Sequence, residues 1–159
     1  MARSAAPKSA ENTGRRLRAA GLRPTRQRVA LANLLFAQGN RHLTAESLHA
    51  EVDKAGIDVS LATVYNTLHQ FTEAGILRHV SVDASRFYFD TNIDPHQHFY
   101  DQGTGTLIDI PSGDITIAGL PSPPKDTVID GVNVVIRIRP AVQVTSALQS
   151  AGAGHISVK

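Results

Sequence analysis

The sequence predicts an α+β chain: an N-terminal winged helix-turn-helix followed by a small β-rich domain. Three observations predict it. Apolar residues recur at helical spacing up to Gly75 and at period two beyond it. Charge divides along nearly the same line, for residues 1–80 carry 11 basic and 6 acidic side chains while residues 81–159 carry 5 and 8, a split hidden in the net +2 of the 159-residue chain. Finally, the chain has 0 Cys, which removes disulfides, thiolate nucleophiles and thiolate-held zinc.

Each element has its own signal. Met1–Ala10 reads as a disordered tail, so the winged-helix domain is placed at residues 11–90. After Pro24 and Thr25, Val29, Ala32 and Leu35/Phe36 mark a first helix that stops at Gly39-Asn40. Thr44 caps a second, carrying Ala45, Leu48, Val52 and Ala55 and stopped by Gly56. Ser60 caps a third with the stripe Leu61, Val64, Leu68 and Phe71, ended by Gly75. Leu77–Val82 and Arg86–Phe89, joined by Asp83-Ala84-Ser85, form the wing hairpin. The β-rich domain spans residues 91–140, with a second hairpin of His98–Gln102 and Gly105–Ile110 around Gly103-Thr104. A loop rich in Pro and Gly over 111–124 follows. Val132–Arg139 is a strand closed by Pro140, and residues 141–159 form a C-terminal tail with weak helix potential over Ala141–Leu148.

Other classes are excluded early. No apolar run approaches the ~20 residues needed to span a bilayer, and no export signal opens the chain, so a cytoplasmic protein with no membrane partner is expected. Arg15, Arg16, Arg18, Arg23, Arg26 and Arg28 fall within 14 residues that contain no acid, a footprint suited to phosphates. With Val64 at the centre of the buried stripe, Ala62, Asn66, His69 and Glu73 face outward on the third helix, flanked by Thr63 and Tyr65. Ala62 lets the backbone approach a groove, Ser60 and the first free amides suit a phosphate, and Thr63, Tyr65 and Asn66 can touch bases.

A second constellation lies beyond the wing. His96 and His98 in Asp94-Pro95-His96-Gln97-His98 point to one face of an extended chain, a start for Zn²⁺, Fe²⁺ or Mn²⁺. If Gly103-Thr104 is the hairpin loop, the register sets His98 opposite Asp109, so a carboxylate meets the two imidazoles, and Asp90 can close from the wing. His49, His69, His79 and His155 are assigned surface or packing roles.

Four ordered motifs complete the reading. Gly21-Leu22-Arg23-Pro24-Thr25-Arg26-Gln27-Arg28, His42–Leu48, Ser60–Leu68 and Phe71–Leu77 together resemble the DNA-binding half of the ferric uptake regulator (Fur) family. The resemblance implies that the third helix enters the major groove, with Tyr65 reading bases and Arg23 reaching the minor groove or backbone. It implies a regulatory metal site made of His42, Asp90, His96, His98 and Asp109, between a DNA-binding and a dimerisation domain. Departures are informative too. Asn66 stands where many relatives have Arg, and the cysteines of the family's structural zinc are missing, which rules that zinc out. With the Leu107–Pro111 and Val134–Arg139 runs, these departures resemble the iron response regulator (Irr) branch, implying haem as an effector and His96 and His98 as candidate haem ligands.

The expectation is therefore an iron- or haem-responsive, homodimeric transcriptional regulator of iron and haem homeostasis genes, binding an AT-rich operator with dyad symmetry. Unpaired strand edges and the gain from a second half-site both favour a dimer. The alternative is a repressor of the Fur type that depends on divalent Mn, Zn or Fe. A His/Asp metallohydrolase is remote, because no activated nucleophile or separate acid lies within reach of the ligands, and a metal buffer makes little sense with one site beside a basic half.

Overall fold

The computed structural model describes residues 6–141. Helices α1 (Ala6–Ala19), α2 (Arg26–Phe36), α3 (Ala45–Lys54) and α4 (Leu61–Glu73) come first, with a two-residue strand β1 (His42–Leu43) between α2 and α3. Strands β2 (Arg78–Ser81), β3 (Phe87–Asp90), β4 (Gln97–Asp101), β5 (Thr106–Ile110) and β6 (Val135–Ile138) complete two three-stranded sheets, ordered β1-β3-β2 and β5-β4-β6. No helix among the described residues is long and apolar enough to cross a membrane.

Two of the helices start at Thr44 and Ser60, the residues that the sequence nominates as caps, and a third starts at Thr25, just before the expected helix. Thr25 accepts from the Arg28 amide, Ser60 from the Thr63 amide, and Thr44 forms a capping box with Ser47. Gly56 and Gly75 follow α3 and α4 at φ 64° and 71°, the left-handed conformation that lets a helix stop abruptly. The fourth helix is a correction: the expected tail 1–10 gives way to α1 at Ala6. Leu17 is its one large apolar residue and is fully buried, so there is no stripe to read. Arg16 adds a guanidinium 3.7 Å from the centre of the Phe36 ring. Residues 1–5 and 142–159, with the expected C-terminal tail and its helix potential, lie outside the described residues.

Leu17, Leu31, Leu35, Leu48, Val52, Val64, Leu68, Phe71 and Phe89 fill the main core between the helices and the wing. Leu61, expected in the buried stripe of α4, is the first residue of the helix and is 37% exposed, and Thr67 is buried instead. A second cluster, Val80, Val82, Tyr100 and Leu107, seals the wing against the second sheet. Tyr88 Oη donates to the Gly105 carbonyl (2.6 Å) and Arg86 Nη1 to Tyr100 Oη (2.8 Å) across the same junction.

The second hairpin has the expected register, with His98 opposite Asp109, across a four-residue loop over 102–105. The last strand is shorter than the expected Val132–Arg139, and it pairs parallel to β4, setting Phe99 opposite Ile136 as well as Ile108. Those three residues form an apolar outer face on which Ile108 and Ile136 are 48% and 37% exposed. Segment 111–134 holds no regular element, as its prolines require.

Candidate metal centre

Asp90 occupies the middle of the wing sheet. Directly opposite it stand His42 on β1 and Arg78 on β2, so all three share one face. The hairpin of the second sheet faces this row with His98 and Asp109, and His96 lies two residues before His98 on the same side. One ligand atom from each of His42, Asp90, His96, His98 and Asp109 lies within 4.8 Å of all the others.

The contacts converge on the two carboxylates. Asp90 Oδ2 lies 3.0 Å from His96 Nε2, 3.3 Å from His98 Nε2 and 3.6 Å from His42 Nε2. Asp109 Oδ1 lies 2.9 Å from His42 Nε2, 3.2 Å from His96 Nε2 and 3.6 Å from His98 Nε2. The other oxygen of Asp90 accepts the Asn92 amide at 2.8 Å, which turns Oδ2 toward the imidazoles. Burial pushes the Asp90 carboxyl up, but the neighbouring His42 and His98 imidazoles and the hydrogen bond from the Asn92 amide outweigh it and hold the group well below the usual carboxylate range.

The donor set fits a metal ion. The Nε2 atoms of His42 and His96 are buried without any hydrogen bond of acceptable geometry, although carboxylate oxygens lie about 3 Å away. Lone pairs aimed at a common point, rather than at each other, account for this. Three imidazoles and two carboxylates would balance a divalent charge, and five donors exceed the four of a tetrahedral zinc site. The His96 and His98 rings lie 4.5 Å apart, centre to centre, which leaves no room for a porphyrin plane between them.

The other predicted residues cluster at the starts of α2 and α4. Arg23 and Arg26 are exposed at the start of α2, and Ser60, Ala62 and Asn66 are exposed at the start of α4, with Thr63 and Tyr65 partly covered. Arg28 differs: Nη1 donates to the Arg23 carbonyl (2.8 Å) while Nε and Nη2 hold Gln70 Oε1, so its guanidinium braces the Arg23 segment against α4. Tyr65 Oη donates to Glu46 (2.9 Å), whose carboxylate raises the phenol's pKa, and the ring stacks on His69 at 6.4 Å. Glu46, Gln70 and Arg78 escape sequence reading. Each acts through a partner 16 or more positions away, and no local spacing signals that.

A winged helix whose wing supplies one carboxylate to an ion-competent cluster, completed by a second sheet, defines a metal-sensing DNA-binding regulator. The comparisons with known proteins agree. The sequence profile of the ferric uptake regulator family matches residues 19–119. The ferric uptake regulation protein of Pseudomonas aeruginosa is 35% identical over 100 residues, 62% of this chain and 75% of its own. The peroxide-responsive repressor PerR of Staphylococcus aureus is 32% identical over 93 residues, covering 58% and 61%. In structure, the P. aeruginosa ferric uptake regulator with manganese superposes with a TM-score of 0.62 at 28% identity, covering 80% of this chain and 97% of that one. The chain belongs to the ferric uptake regulator family. It is a metal-responsive transcriptional regulator and not an enzyme, and the regulators of its family are dimeric DNA-binding proteins.

Proposed function

We propose that the protein regulates iron homeostasis genes as a homodimer, with Fe²⁺ or Mn²⁺ held by His42, Asp90, His96, His98 and Asp109 as its effector. The observation that carries this is the convergence of five donors within 4.8 Å at the junction of wing and second sheet. Without an ion, two carboxylates face each other across that junction. With one, ligands from both lobes are tied together, so the angle of the recognition helix is fixed before DNA is met, and preorganisation of this kind tightens binding. The P. aeruginosa regulator, solved with manganese, supports the choice of ion.

Asn66, the missing cysteines and the Leu107–Pro111 and Val134–Arg139 runs support an affinity with the iron response regulator branch. The close approach of the His96 and His98 rings favours an ion over haem as the effector. Dimerisation through the Phe99, Ile108 and Ile136 face would set two α4 helices on successive major grooves of an AT-rich dyad. There Tyr65, Asn66, Thr63 and Ala62 meet bases, while Arg23, Arg26 and Ser60 meet phosphates or the minor groove.

Fluorescence anisotropy with an AT-rich dyad duplex tests the proposal. Mn²⁺ should tighten binding by about tenfold or more, and haemin should not. Tyr65→Ala should lose discrimination against unrelated duplexes, and Arg23→Ala should weaken all duplexes with a salt slope shallower by about 1. A slope of log K on log salt near zero, or no response to Mn²⁺, refutes it.

A further inference from the structure

Arg78 lies on the ligand face of the wing but offers no lone pair to an ion. Its guanidinium reaches out of the wing sheet to three groups of the second lobe. Nη1 donates to the Asp94 carbonyl at 2.8 Å and lies 3.0 Å from His96 Nδ1, while Nη2 donates to Asn133 Oδ1 at 3.1 Å. His96 Nδ1 is itself 2.7 Å from the same Asp94 carbonyl.

A neutral imidazole carries one N–H. His96 Nδ1 can therefore donate to Asp94 or accept from Arg78, but not both. The choice decides what the other nitrogen offers the site. A proton on Nδ1 leaves the Nε2 lone pair free to ligate, whereas an Nδ1 that accepts from Arg78 puts the proton on Nε2 and closes it to an ion. A carbonyl oxygen has two lone pairs, so Asp94 can accept from Arg78 and from His96 together. The short 2.7 Å contact and the hydrogen-bond-free Nε2 both match this arrangement.

We propose that Arg78 is a positioning residue for the metal centre, an inference that rests on the metal-site reading of the previous section. It clamps the Asp94 carbonyl where His96 Nδ1–H can reach it, and so holds His96 in its ligating tautomer. The same guanidinium grips Asn133, one residue before Val134, whose carbonyl accepts the His98 amide at 3.2 Å. One side chain of the wing thus ties down both His96 and the approach to β6. A lysine could satisfy one of these acceptors but not the fork.

The test uses the full chain and its Arg78→Gln, Arg78→Lys and Asn133→Ala variants, with two readouts. Mn²⁺ affinity is read from the free-ion signal in electron paramagnetic resonance, and the His96 tautomer from long-range ¹⁵N–¹H correlation spectra of the metal-free protein. Arg78→Gln should bind Mn²⁺ about 10–100-fold more weakly, the usual effect of losing an outer hydrogen bond to a metal ligand, and should shift His96 toward the Nε2–H form. Arg78→Lys should keep the fold and recover only part of both losses. Asn133→Ala, which leaves the Asp94 clamp intact, should bind within about threefold of wild type. Wild-type affinity and an unchanged tautomer in Arg78→Gln, or in Arg78→Lys should the first not fold, would overturn the inference. Absence of Mn²⁺ binding by the wild-type chain would instead overturn the metal centre itself, and this inference with it.

Discussion

Asp90→Asn is the sharpest probe of the metal centre. The side chain is fully buried, and its Oδ2 faces all three imidazole Nε2 atoms at 3.0–3.6 Å, as the more exposed Asp109 also does from the other sheet. Asparagine has nearly the same shape and can still accept the Asn92 amide. What it removes is one of the two negative charges, and in one orientation it points an NH₂ at the imidazoles. Loss of a charged ligand should cost at least the hundredfold that marks the upper end for outer-shell changes. At Mn²⁺ equal to 100 times the wild-type Kd, linkage stabilises the wild-type fold by about 2.7 kcal/mol. For a chain of this size that is a rise in Tm of roughly 5–11 °C. A hundredfold weaker site at the same concentration gains about 0.4 kcal/mol, a rise of about 1 °C. Differential scanning calorimetry with and without Mn²⁺ reads the difference directly. A variant whose Tm rises as far as wild type, at the same Mn²⁺ concentration, would show that the ion binds elsewhere.

Two further outcomes are expected. Ile108→Asp on the apolar outer face of the second sheet should shift the chain from dimer to monomer in analytical ultracentrifugation without lowering its helix content, since Ile108 is 48% exposed within the chain; an unchanged dimer would move the interface elsewhere. Leu48→Ala, in a fully buried position of α3, should destabilise the fold by about 2–5 kcal/mol in urea unfolding, and a loss under 1 kcal/mol would mean the helical core is not packed as described.

Sequence made the helical half legible because its signals are local. Thr25, Thr44 and Ser60 each cap a helix within three residues, and Gly56 and Gly75 mark stops through their own backbone angles. The pairing of His98 with Asp109 could be read because a hairpin's register follows from its loop. His42 could not be reached in this way. Its place beside Asp90 comes from β1, a strand of two residues that no periodicity can reveal, and only the resemblance to a family nominated it. α1 was missed for want of an apolar stripe, and the parallel pairing of β6 with β4 depends on a 24-residue segment, 111–134, whose path no local rule fixes. Arg78 carries no local signal at all, because its partners come from two distant segments, 94–96 and 133, that meet only in the fold.

The ligands are not equally open to water. Asp90, His96 and His98 side chains are 1–4% exposed and form a closed floor, while His42 is 14% and Asp109 39% exposed and form a rim on one side. Among the described residues, the doorway to the site is lined by His42 and by the Asp109 carboxylate. Asp109 sits on an edge strand and His42 on the two-residue β1, the elements expected to open most readily, so exchange with solvent should be governed at that rim. On the proposed metal reading, how tightly an ion is held would be set by the floor, and how quickly the regulator forgets it by two residues at the door.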